Sequence, residues 1–145
     1  MLTVSIKEVA LTSRRIIEGE PVKISRIWTD SREVRGKGLF VALIGDRYDG
    51  HCFLEEAVAR GASAAMVKRG NRAAQDFAVK HPGFPLVKVS DTLRAMGDLA
   101  AMVRERLNLK AVGITGSTGK TCTKDFLVSV LGTGIRVAYS PGSFN

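Results

Sequence analysis

Gly113-Ile-Thr-Gly116-Ser-Thr-Gly119-Lys120-Thr121 is the most informative stretch of this chain. The run Lys110-Ala-Val-Gly-Ile-Thr115 before it is apolar enough for a strand, and Thr121 to Leu131 after it reads as a helix. Strand, glycine loop and helix open a parallel α/β unit, which sets the fold class. Glycines let a backbone curl so that several N–H groups face one point, and a helix N-terminus adds positive potential there. Lys120 would reach the β- and γ-phosphates of a nucleotide, and the Thr121 hydroxyl would ligate Mg²⁺. The strict phosphate-loop pattern needs glycine at Ile114, one residue after the glycine present. A plain strand-to-helix turn with a surface lysine is therefore the alternative, although Lys-Thr at the helix start favours mononucleotide binding.

Working outward, Leu93, Met96, Leu99, Ala100, Val103 and Leu107 follow helical spacing, capped by Ser90 or Asp91. A further strand is expected at Ile135–Tyr139. Toward the N-terminus, Ser5 and Glu8 have the spacing of a capping box before the apolar Val9 and Ala10, and Gly19-Glu-Pro21 breaks the chain. Val22 to Trp28 alternates as one half-buried strand, and Leu39 to Ile44 reads as a buried one. Cys52 to Arg60 has helical composition with Gly61 at its C-terminal cap. Ser63–Val67, a helix over Arg72–Lys80 and Leu86–Val89 complete the pattern. The expected domains are residues 1–87, a small α/β module, and 88–145, the beginning of a parallel-sheet phosphate-loop domain.

The chain has 145 residues, with 22 Lys and Arg against 14 Asp and Glu, for a net charge of +8. The basic residues are dispersed and only 6% are aromatic, so nucleic acid is not the expected partner. Its longest apolar runs are too short to span a bilayer. Two cysteines, Cys52 and Cys122, cannot form a disulfide framework, so a reducing, cytoplasmic compartment is expected. Both are expected to be packed small residues, and Trp28 belongs to the core or rim of the first domain.

The loop, with Thr115-Gly116 before Gly119-Lys120-Thr121, resembles the phosphate loop of the Mur ligase family of ATP-dependent peptidoglycan amide ligases. Thr29-Asp-Ser-Arg32, Gly38 to Gly45, Asp49-Gly-His51, Ala57 and Gly61-Ala62 are similar to that family's N-terminal UDP-sugar-binding domain. Lys124-Asp-Phe and Ser140-Pro-Gly-Ser-Phe-Asn145 resemble the member joining D-alanyl-D-alanine to UDP-N-acetylmuramoyl-tripeptide, with Ser143 where that member has Asn. The resemblance implies ATP contacts at Thr115, Gly116, Ser117, Thr118, Gly119, Lys120, Thr121 and Cys122, with Lys120 catalytic and Thr121 on Mg²⁺. It also implies UDP contacts at Ser31, Arg32, Asp49 and His51, and the protein is expected to act as a monomer. The family's remaining metal ligands and amine-binding domain have no counterpart in these residues, so the chain alone is expected to be inactive. Alternatives are the member that adds Lys or diaminopimelate, a non-catalytic UDP-sugar-binding module, and another phosphate-loop NTPase.

Physically, Arg32 can fork onto a phosphate oxygen pair, Ser31 can donate one hydrogen bond, and His51 could donate from a ring nitrogen. The plainer alternative has Asp30 pairing with Arg32 across a tight turn and His51 packing on Phe53.

Overall fold

Leu39, Phe40 and Val41 are each 1% exposed or less, which marks them as a strand covered on both faces. A computed structural model describes residues 4–5, 16–18 and 22–140 of the chain. In it Leu39–Val41 is β5, a central member of a five-stranded sheet ordered β2-β7-β6-β5-β4. The other strands are β2 (Ile16–Glu18), β4 (Ile27–Trp28), β6 (Ala64–Lys68) and β7 (Leu86–Val89). Pairing is parallel from β4 to β7, for instance Leu39 opposite Ala64 and Ala65 opposite Leu86. The edge strand β2 runs antiparallel to β7. A separate two-stranded ribbon pairs β1 (Val4–Ser5) with β3 (Lys23–Ile24).

Parallel strands buried on both faces read as continuous apolar runs, and β5 to β7 do. Leu39, Val41, Met66, Val87 and Val89 point to one side, where Ala95 and Leu99 of α3 (Thr92–Leu107) cover them. Phe40, Ala65, Val67 and Leu86 point to the other, against Leu54 and Ala57 of α1 (Leu54–Ala59) and Ala74 and Phe77 of α2 (Arg72–Lys80). Three layers result, helix, sheet and helix.

The helix ends follow local chemistry. Gly61, at φ +104°, lets the Ala62 N–H reach the Ala57 carbonyl at 2.9 Å and the Gly61 N–H reach Val58, a Schellman close. Asn71 caps α2 through the Ala74 N–H at 3.1 Å, and Asp91 caps α3 through the Arg94 N–H at 2.9 Å.

Two compact units divide at 108/109, whereas the expected boundary was 87/88. Helix α3 accounts for the difference: Ala95 and Leu99 are core residues of the first unit. Val22–Trp28 is two strands rather than one. Ile24 packs in the cluster under α3 while Trp28 packs on the opposite cluster, so the chain rotates between them and changes sheets. Strand β5 stops at Val41 because residues 42–50 fold back, with Gly50 N–H on the Leu43 carbonyl at 2.7 Å. The helix expected from Cys52 begins instead as a 3-10 turn, Gly50–Phe53, that runs into α1.

The second unit, residues 109–145, contains α4 (Lys120–Leu131), which starts one residue earlier than expected. The segments 110–115 and 135–139 are not strands here, since neither finds a ladder partner among the described residues. Parallel strands exist only through such ladders. Ser5 is the last residue of β1, while residues 6–10, 19–21 and 141–145 of the expected capping box, break and Ser-Phe-Asn motif lie outside the described residues.

Candidate functional site

The first unit places its predicted ligand residues where the parallel strands end. In open α/β sheets that edge is where ligands bind. Thr29 to Arg32 follows β4, and the loop to His51 follows β5. Both lead into 3-10 turns, Ser31–Glu33 and Gly50–Phe53, and each turn packs against α1.

Asp30 caps the first turn, accepting the Arg32 backbone N–H at 2.9 Å. Its carboxylate also takes the Arg32 guanidinium, with Nε at 3.0 Å and Nη2 at 2.7 Å. That guanidinium, then the Arg32 N–H, holds the Asp30 carboxyl down to about 2, and Asp30 in turn raises Arg32. The expected alternative of an Asp30–Arg32 pair is thus present. It still leaves Nη1 unengaged by Asp30, on a side chain 78% exposed. Ser31 is 5% exposed and donates its hydroxyl proton to Glu56 Oε2 at 2.7 Å.

His51 differs from expectation. Its ring is fully buried, Nε2 accepts the Lys68 N–H at 2.8 Å, and Nδ1 faces Asp49 Oδ1 at 2.5 Å. An acceptor Nε2 puts the proton of the neutral ring on Nδ1, so no ring donor is left for a phosphate. Asp49 also accepts the His51 backbone N–H and the Asn71 side-chain amide, each at 2.9 Å. Partial burial pushes the Asp49 carboxyl up, but these hydrogen bonds together outweigh it and hold it below its ordinary value. Asp49 and His51 therefore tie the β5 loop to the end of β6 and the start of α2.

The second unit carries the glycine loop. Gly116 and Gly119 have φ of +148° and +78°, values that a side chain disfavours. Gly119 is the N-cap of α4 and offers no side-chain acceptor. The Thr123 N–H bonds the Gly119 carbonyl at 2.9 Å, which leaves the N–H groups of Lys120, Thr121 and Cys122 without an intrahelical partner. Lys120 Nζ donates to the Gly116 carbonyl at 2.6 Å and lies over the loop. Three orphan donors plus an ammonium make a donor set that fits phosphates. The exposed Thr121 offers one hydroxyl to a hard cation, and no group of three His, Cys, Asp or Glu is gathered among the described residues.

Cys52 and Cys122 are exposed, contrary to the expected packing: Cys52 faces outward from its 3-10 turn and Cys122 from a helix with no buried residue. Trp28 is half-buried at the rim of its cluster, as expected. Glu56, Arg60 and Asn71 were not foreseen. Asn71, directly before a periodic helix, carried a readable capping signal. Glu56, 25 residues from Ser31, carried none. No helix among the described residues is long and apolar enough to cross a membrane.

A family model described as "Mur ligase family, catalytic domain" matches residues 23–104. The chain belongs to the Mur ligase family. It is 38% identical over 128 residues to the UDP-N-acetylmuramoyl-tripeptide–D-alanyl-D-alanine ligase of Bacillus subtilis, covering 87% of this chain and 26% of that protein. It resembles a crystal structure of MurF from Acinetobacter baumannii, with a TM-score of 0.76 and 31% identity over 92% of this chain and 28% of that one. The MurF ligase of Thermotoga maritima in complex with ADP gives a TM-score of 0.59 and 35% identity, covering 83% of this chain and 26% of that one. The chain thus spans between a quarter and a third of these relatives' lengths.

Proposed function

We propose that the chain serves an ATP-dependent, ADP-forming ligase that joins D-alanyl-D-alanine to UDP-N-acetylmuramoyl-tripeptide in peptidoglycan synthesis in the cytoplasm. The observation that carries this reading is the glycine loop of Gly116 to Thr121 in a chain whose relatives bear that ligase name. The relative solved with ADP supports nucleotide binding. The first unit, at the ends of β4 and β5, holds the UDP end of the substrate, and the second unit holds ATP.

In this reading the tripeptide carboxylate attacks the γ-phosphorus of ATP, giving an acyl phosphate and ADP. The amine of D-alanyl-D-alanine then attacks the acyl carbon, forming the amide and releasing phosphate. The orphan N–H groups at the start of α4 and the Lys120 ammonium bind and orient the phosphate chain and stabilise charge building on it. Thr121 would hold Mg²⁺, which would supply positive charge against the β- and γ-phosphates. Arg32 binds the diphosphate of the UDP end through its free Nη1 edge.

Titrating ATP into the chain and into Lys120→Ala tests the loop. The lysine bonds only one exposed carbonyl, so folding should be unaffected and affinity should fall at least tenfold. Equal affinity in both would remove the loop assignment.

A further inference from the structure

The proton of Ser31 is already committed. A hydroxyl has one proton and two lone pairs, and a carboxylate only accepts. In the 2.7 Å contact with Glu56 Oε2, Ser31 must therefore be the donor. Glu56 is itself held, because its Oε1 accepts Arg60 Nε at 3.1 Å, and Arg60 Nη1 donates to the Arg32 carbonyl at 3.3 Å. These bonds close a ring through Ser31, Glu56, Arg60 and Arg32 that fixes the hydroxyl rotor. What Ser31 can still offer a ligand is a lone pair. A phosphate oxygen is also an acceptor, so the two would repel. In this arrangement the Ser31 proton goes to Glu56 and not to a phosphate, the partner expected for it from the sequence.

We propose that Glu56 is a positioning residue that turns Ser31 into a hydrogen-bond acceptor, so that the end of β4 selects a donor group of the UDP moiety while Arg32 alone serves its phosphates. This rests on the functional reading that UDP binds at this edge. UDP carries two kinds of donor, the uracil imide N–H and the ribose hydroxyls, and Ser31 accepts from one of them.

The test is calorimetric or NMR titration of the 145-residue chain with UDP, 3-methyl-UDP, which lacks the imide donor, and 2′,3′-dideoxy-UDP, which lacks both ribose hydroxyls. One of the two analogues should bind the unaltered chain about three- to tenfold more weakly than UDP, the usual worth of one hydrogen bond, and its identity names the donor. Glu56→Gln keeps the volume but lets an amide N–H donate to Ser31. It should weaken UDP by a similar factor and leave the donor-lacking analogue unchanged. Ser31→Ala combined with Glu56→Gln should bind UDP no worse than Ser31→Ala alone. A merely structural Glu56 would weaken all three ligands alike, which overturns the proposal. So does a Glu56→Gln variant that binds UDP as tightly as the unaltered chain or tighter, or an unaltered chain that binds both analogues as well as UDP. An unaltered chain that fails to bind UDP removes the functional reading itself, a result distinct from any of these.

Discussion

The two units hold their candidate binding loops in opposite ways. In the first, the loops after β4 and β5 are wired by side chains: Asp30 on Arg32, Ser31 on Glu56, and Asp49 between His51 and Asn71. In the second, the loop before α4 is shaped by glycine backbone, and its lysine meets a neutral carbonyl. The cores differ in parallel. Among the described residues, every member of the two buried clusters lies between Ile24 and Leu99, while α4 buries none and Phe126 is 70% exposed. A site that discriminates by shape needs rigid side chains on a packed core. A site that grips phosphates can use backbone N–H groups, which every residue supplies.

Matched truncations should separate the units most widely. Phe40→Ala empties a site 1% exposed at the centre of the sheet and should cost about 3–5 kcal/mol in denaturant unfolding. Phe126→Ala, on α4, should stay within about 0.5 kcal/mol. Comparable losses would mean that α4 is covered in solution, and the contrast in packing would fail.

The next effect belongs to His51. His51→Ala leaves the Lys68 N–H without its acceptor and takes the ring partner from Asp49, whose bonds from the residue-51 backbone N–H and Asn71 remain. An unpaired buried donor costs about 1–3 kcal/mol, and the lost ring adds a cavity, so about 3 kcal/mol is expected in the same assay. A cost near zero would show that the wired loop contributes nothing to the first unit.

How much of this could be read in the sequence follows the same division. The glycine loop was legible because its chemistry is local: three glycines, Lys120 and Thr121 within nine residues. Helix α3 was legible from periodicity and from capping by Asp91, and α2 has the bounds Arg72–Lys80 expected of it. The place of α3 was not, since its apolar stripe says that a face is buried but not against what. Nor was the polarity of Ser31 legible, because Glu56 lies a full strand and loop away. His51 looked like a donor because sequence gives residue type and not depth; its burial depends on β6 delivering the Lys68 N–H to Nε2. The break of Val22–Trp28 into two strands was equally hidden, since alternation survives a change of sheet.

The smallest effect isolates one wire of the first unit. Arg32 holds the Asp30 carboxyl down to about 2 from an ordinary 3.8, so their pairing favours the fold above the ordinary value and is lost as pH falls toward 2. Two bonds from Arg32 compete to explain this, the guanidinium first and the backbone N–H second. Arg32→Ala removes only the former. Carboxyl NMR should then show the Asp30 midpoint climbing from about 2 most of the way back to 3.8. If it stays near 2, the turn's backbone holds Asp30, and the guanidinium is as free for a phosphate as Lys120 is in the other unit. If it climbs, any diphosphate bound at this edge must compete with Asp30 for Arg32. Asp30→Asn should then tighten UDP binding, whereas Lys120 in the second unit meets a carbonyl and no carboxylate among the described residues.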